Sequence, residues 1–446
     1  MKIKGIILVL ALLVSFSTKA QQTQNDTDTL FLSIDEAIKI GLQENLTLKM
    51  SEMEIEKKRE KIKELQSNMY PQLSASGQYT RNLKNPVIFM PEGIFGPNTG
   101  GPLKIGFNNS YNGTVSLSLP LFTLGIYKSI DMSKKDMELS GEKYNGIKQN
   151  LIFNIKKAYY NILLTKESYN VIKENYQSAL DNYNNIKNLY KQGIVSEYDM
   201  IRSKVSVENI KPSVYQLANA YRTTIKLLKV YLNLNENIPL SVKDDLLLKN
   251  TDYIMMSNPN DSLQNNTNLK QLDIQMQLIA SQIQFAKSER IPNLVAFGNY
   301  QYQSQSNDYK FGDYNWIPVS MVGFQLNIPI FSGFSKIKKT NQVQISLEQL
   351  KLQKQFTKNN LELALKNALD NMQVAIEKIK TTHENVKLSE KGYLIARTSY
   401  STGQSTLLEL NDARVALSRA QLDNIQARFD YLSAKIEYKK IIGTND

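Results

Sequence analysis

Two periodicities divide the chain. Between Leu73 and Thr80, small or apolar residues (Leu73, Ala75, Gly77, Tyr79) alternate with Ser74, Ser76, Gln78 and Thr80. The same period of two returns where Val115, Leu117, Leu119 and Leu121 alternate with Thr114, Ser116 and Ser118. Such alternation predicts strands with one apolar and one polar face. Elsewhere the period is helical. Residues 126–191 contain no proline and are rich in helix formers, so they predict one helix of about 100 Å at 1.5 Å per residue. Residues 330–446 also lack proline, and Leu361, Leu365, Ala368, Met372, Ala375 and Ile379 mark a seam with coiled-coil spacing.

Punctuation residues set the boundaries. Ser33 and Glu36 predict a capping box at the start of a first helix, and Asn45 opens a second that runs to about Met69, before Pro71. Residues 83–112 are rich in Gly, Pro and Asn and predict a loop. Tyr190-Lys191-Gln192-Gly193-Ile194-Val195-Ser196 predicts a helix stop followed by a helix start, with glycine ending one helix and serine capping the next. Pro212 predicts a kink in the return helix.

The whole pattern then repeats. Asn266 to Lys270 echoes Asn45 to Lys49, and Pro292 to Tyr300 echoes Pro71 to Tyr79. Pro329-Ile330-Phe331 echoes Pro120-Leu121-Phe122, and Tyr400-Ser401-Thr402-Gly403-Gln404-Ser405-Thr406 echoes the Gly193 turn. Each half reads helix, strand, loop, strand, long helix, tip, return helix. The expected organisation is a signal peptide (1–20), a first repeat (21–232), a connector (233–265) and a second repeat (266–446). In the first repeat the strands cover about 72–82 and 113–121 and the long helices about 126–191 and 197–232. In the second they cover about 293–303 and 319–329, with helices about 334–400 and 406–442.

Composition narrows the setting. Lys2 and Lys4, the apolar run Gly5 to Phe16, and Thr18-Lys19-Ala20 read as a cleaved export signal. The chain has no cysteine, which excludes disulfides, thiolate chemistry and a lipid on an N-terminal cysteine. After the signal, no apolar run is long enough for a membrane-spanning helix. The formal net charge of +12 comes from lysines interleaved with glutamates along helices, the pattern of solvated helix faces rather than of a nucleic-acid site. Strands of about ten residues match a bilayer crossed as a β-barrel, and an open four-stranded sheet would leave its edges unpaired in lipid. Three copies would close a sheet of about twelve strands. Tyr309, Phe311, Tyr314 and Trp316 are candidates for an interfacial aromatic girdle of such a barrel.

Enzyme chemistry finds no foothold. His383 is the only histidine, so histidine-based metal or triad catalysis is not expected. Gly96 to Gly106 lacks the Gly-Lys-Ser/Thr ending of a phosphate loop. No cofactor is expected.

The duplicated order of elements, the Leu32 to Asn45 opening, the two Pro-Leu/Ile-Phe strand ends and the two Tyr-x-x-Gly turns together resemble the TolC-like outer-membrane efflux proteins. The resemblance implies an α+β membrane protein: a homotrimer with a twelve-stranded transmembrane barrel continuous with a helical periplasmic tunnel. It also implies a periplasmic adaptor and an inner-membrane pump as partners, and export of drugs, small toxic molecules or proteins. Carried onto this sequence, it implies an acidic ring at the periplasmic entrance from Glu409 and Asp412, and a closed-state lock between Asp199 and Tyr400. The family's lock arginine is replaced by Ser405, with Arg202 as the candidate substitute. Gly193, Ile194, Val195, Ser196, Gly403 and Thr406 correspond to adaptor-docking tips. The competing reading is a periplasmic coiled-coil scaffold without a pore.

Overall fold

The computed structural model describes residues 29–90, 101–244 and 262–444. The export signal and most of the connector lie outside these residues. A short strand β1 (Leu30–Leu32) leads into α1 (Ile34–Glu44) and α2 (Leu46–Ser67). The capping box of Ser33 and Glu36 is formed, and Asn45 caps α2. Strands β2 (Gln72–Arg81), β3 (Val87–Met90), β4 (Gly101–Lys104) and β5 (Asn109–Phe122) follow. Next come α3 (Leu124–Lys191), α4 (Glu197–Leu232) and β6 (Leu240–Val242). The second half holds α5 (Thr267–Ser288), β7 (Asn293–Ser306), β8 (Ile317–Asn327), α6 (Ser335–Ser401) and α7 (Leu407–Ile442).

The segment expected as a loop at 83–112 is instead partly a hairpin. β3 pairs antiparallel with β4, from Val87 opposite Lys104 to Met90 opposite Gly101. Its Val-Ile-Phe-Met run carries strand propensity that the surrounding Gly and Pro content hid. The same expectation ended too late: β5 begins at Asn109 because Asn109 and Tyr111 pair with Arg81 and Tyr79. Pro212 lies inside α4 without ending it.

The main sheet has the order β2-β5-β7-β8, all antiparallel. Its register sorts the side chains into two faces, since cross-strand partners share a side. One face carries Leu73, Ala75, Val115, Leu117, Ala296, Val322 and Phe324. The other carries Gln72, Ser74, Ser116, Ser118, Asn299, Gln301 and Gln325. Val322 is 90% and Phe324 75% exposed in the single chain, so the apolar face has no protein cover. The outer strands β2 and β8 each have one unpaired edge in this sheet.

Helices extend from the sheet in two antiparallel hairpins, α3 against α4 and α6 against α7. Their core sits at mid-height, where Tyr159, Ile155 and Ile162 of α3 join Leu228 and Leu232 of α4, Met372 of α6 and Tyr431 of α7. The coiled-coil seam is buried there at Leu365, Ala368, Met372, Ala375 and Ile379. β1 and β6 pair in parallel over this core. The Tyr159 hydroxyl donates to Asp244 Oδ2 at 2.6 Å and lies 2.9 Å from Leu32 O.

The two halves use the same fastening. Asn45 Oδ1 caps α2 through Leu48 N (3.1 Å), while its Nδ2 donates to Tyr231 O (2.9 Å) in the last turn of α4. Asn266 Oδ1 caps α5 through Leu269 N (3.3 Å), while its Nδ2 donates to Ile441 O (2.8 Å) in the last turn of α7. Both amides are buried. Each therefore satisfies one orphan donor and one orphan acceptor of two different helices.

Candidate functional site

The far ends of the hairpins carry most of the residues singled out in the sequence. At the first tip, Gly193 has φ 75°, which suits glycine because a side chain would be strained there. Gly193 N donates to Tyr190 O (2.9 Å) and Ile194 N to Leu189 O (2.9 Å). The second tip repeats this: Gly403 has φ 74°, Gly403 N donates to Tyr400 O (3.1 Å) and Gln404 N to Ser399 O (2.8 Å). Both are Schellman motifs, in which paired bonds close the last turn of the helix. The return helices then start on Ser196, whose Oγ accepts from Asp199 N, and Thr406, whose Oγ1 accepts from Glu409 N.

The acidic residues differ in their bonding. Glu409 Oε2 accepts from Thr406 N at 3.0 Å and completes a capping box. Asp199 Oδ2 instead accepts from the Ser196 hydroxyl at 2.7 Å. Glu409 and Asp412 are both exposed on the first turns of α7. Tyr400 is half-buried; burial, and then the nearby charge of Asp199, raise its hydroxyl pKa. No hydrogen bond joins Tyr400 to Asp199 within the described chain, and Arg202 makes no ion pair with Asp199. Ser405 turns back to its own hairpin, its Oγ 3.4 Å from Ala396 O. Val195 is half-buried and Ile194 exposed beside Gly193.

A residue that sequence reasoning missed is Arg414. It lies on α7 in the buried row of Leu407, Leu410 and Ser418, at 6% exposure. Its spacing from Leu407 and Leu410, a charge at a seam position, was the available signal. Burial lowers its pKa, and Tyr393 partly opposes this.

At the sheet's other end lies an aromatic cluster on the apolar face. Tyr79 stacks on Tyr111 with ring centroids 5.0 Å apart, and Tyr302 stacks on Trp316 at 5.5 Å. Phe311 and Tyr314 close on Tyr111 at 5.2 and 5.6 Å. Arg81 sits beyond them, bonded to the Tyr309 hydroxyl.

Among the described residues no group of three or more His, Cys, Asp or Glu side chains could hold a metal, and His383 is half-buried on α6. No described helix is long and apolar enough to cross a membrane.

Comparison with known proteins agrees with this architecture. The family described as outer membrane efflux protein matches residues 37–233 and 258–444, one block per repeat. Outer membrane protein TolC of Vibrio cholerae is 19% identical over 339 residues, covering 74% of this chain and 76% of the relative. TolC of Escherichia coli is 18% identical over 374 residues, covering 80% and 71%. Among solved structures, the Campylobacter jejuni CmeC outer membrane channel superposes with a TM-score of 0.73 at 19% identity, covering 92% of this chain and 85% of that one. The open state of the Neisseria gonorrhoeae MtrE outer membrane channel gives 0.71 at 16% identity, covering 92% and 89%. With its two-faced sheet, its two helical hairpins and a family match across both halves, the chain belongs to the outer membrane efflux protein family: it is an outer-membrane channel protein and not an enzyme.

Proposed function

We propose that three copies of this chain form the outer-membrane exit duct of a tripartite efflux pump or type I secretion system. The observation that carries this is the main sheet. It has an apolar face without protein cover, an opposite face rich in Ser, Thr, Asn and Gln that also carries Phe297, Val319 and Met321, and two unpaired edges. Three such sheets joined edge to edge make a closed barrel of about twelve strands, with lipid outside and water inside. The aromatic cluster from Tyr79 to Trp316 then lies at the outer membrane–water interface. The helical hairpins form the tunnel wall in the periplasm, and the chain arrives there after cleavage of residues 1–20.

The duct is passive; an inner-membrane pump supplies the energy and a periplasmic adaptor docks at the tips, on Gly193, Ile194, Val195, Ser196, Gly403 and Thr406. The cargo is a small toxic molecule, a drug or a polypeptide. Around a threefold axis, Glu409 and Asp412 form rings of carboxylates that attract cations at the entrance. Asp199, Tyr400 and Arg202 belong to the closed-state lock, whose bonds run between protomers rather than within one.

The test is single-channel recording of the purified full chain in a planar bilayer, with its mass in detergent measured in parallel. Discrete conductance steps and a trimeric mass are expected. A monomer extracted without detergent and silent in the bilayer would overturn the duct and favour the pore-free periplasmic scaffold.

A further inference from the structure

The two hairpins are joined sparsely near their tips. Among the described residues 172–216 and 382–426, one hydrogen bond crosses from the first hairpin to the second: Arg414 Nη2 on α7 donates to Ser206 Oγ on α4 at 2.8 Å. The other partner of Arg414, Asn411 Oδ1 at 3.1 Å, belongs to its own helix. Its Nε is buried without any partner. The polar group that acts on its charge from α6 is the Tyr393 phenol, and no carboxylate pairs with it among the described residues.

This is an unfavourable way to fill a seam. Burying a charge without a counter-ion costs free energy that a neutral hydroxyl and one amide oxygen do not return, and an apolar side chain of similar volume often holds better. When the tips separate, the guanidinium regains water. We infer that Arg414 is a positioning residue that keeps the two hairpin tips poised to separate: Ser206 holds it in place, and its unbalanced charge favours separation of α7 from α4. The inference rests on the tips being the gated end of the duct. It assigns opposite signs to the two partners of a single hydrogen bond, which a simple tether does not.

The experiment compares Arg414→Met, Ser206→Ala and the double variant in the full chain in detergent, by amide hydrogen exchange over 197–207 and 407–418 and by planar-bilayer conductance. Thermal melting checks that each variant is folded. Ser206→Ala leaves the charge buried with fewer partners, so exchange quickens by about tenfold, the change expected for one lost hydrogen bond to a charged group, and resting conductance rises. Arg414→Met slows exchange and lowers resting conductance, and the double variant behaves like Arg414→Met. Shifts of the same sign in both single variants, or no shift in either, overturn the inference. Opposite exchange shifts in a protein that never conducts would keep the role of Arg414 and discard the duct.

Discussion

One methylene separates Asp199 from Glu409, and the two tips differ because of it. The glutamate reaches back to the backbone N–H of Thr406, whereas the aspartate reaches only the Ser196 hydroxyl. Glu409 therefore has a structural task beside its place in the proposed acidic ring, and the two separate by substitution. Glu409→Gln keeps the acceptor and removes the charge, so the melting temperature holds while cation preference in a bilayer falls. Glu409→Ala loses both and destabilises the cap by about 1 kcal/mol. At the opposite capping box, Ser33 N and then Lys243 hold the Glu36 carboxyl down to about 2. A folded-state pKa below the unfolded one stabilises the fold above the unfolded value, and that contribution is lost as pH falls through the folded value. Stability tied to Glu36 is thus present above about pH 4.5 and drains away towards 2. Melting curves across that window should be flatter for Glu36→Gln than for the parent. Capping residues were legible in the sequence because their spacing is local. The seam spacing of Arg414 is local too, but its bond to Ser206 was not legible, because Ser206 lies on a helix of the other hairpin.

At the scale of elements, the repeat reaches further than the sequence markers. The two tips close on the same pair of Schellman bonds, and the buried amides of Asn45 and Asn266 fasten equivalent helix ends. The helix-start role of each asparagine was readable; its second bond, to a return helix far along the chain, was not. Asn266→Asp preserves the cap and deletes the donor to Ile441 O, setting a carboxylate against a carbonyl. It should lower stability by about 1–3 kcal/mol, read as a drop in melting temperature, whereas Asn266→Ala loses cap and clamp together. The β3–β4 hairpin escaped sequence reading because its composition signals conflict, and turn-forming residues outweighed a four-residue strand.

For the whole molecule, the alternation at 73–80 and 114–121, echoed in the second half, pointed to the environment before any contact was known. What it left open was how the faces are partnered, since a period of two says only that the sides differ. The register supplies that. A charge at Val322, on the apolar face, should cost about 2–4 kcal/mol at bilayer depth. Val322→Arg should therefore abolish the proposed trimer, read as its mass in detergent, while Ser116→Lys, on the opposite face, leaves it intact. The unpaired edges of β2 and β8 have a consequence for biogenesis. A lone sheet cannot enter lipid with its backbone groups unsatisfied, so insertion of the proposed three-chain barrel is a reaction of high order in protein. Its rate depends steeply on how many nascent chains meet in the periplasm, and at low expression the unassembled chain is exposed longest to proteases and to wrong pairing along those same edges.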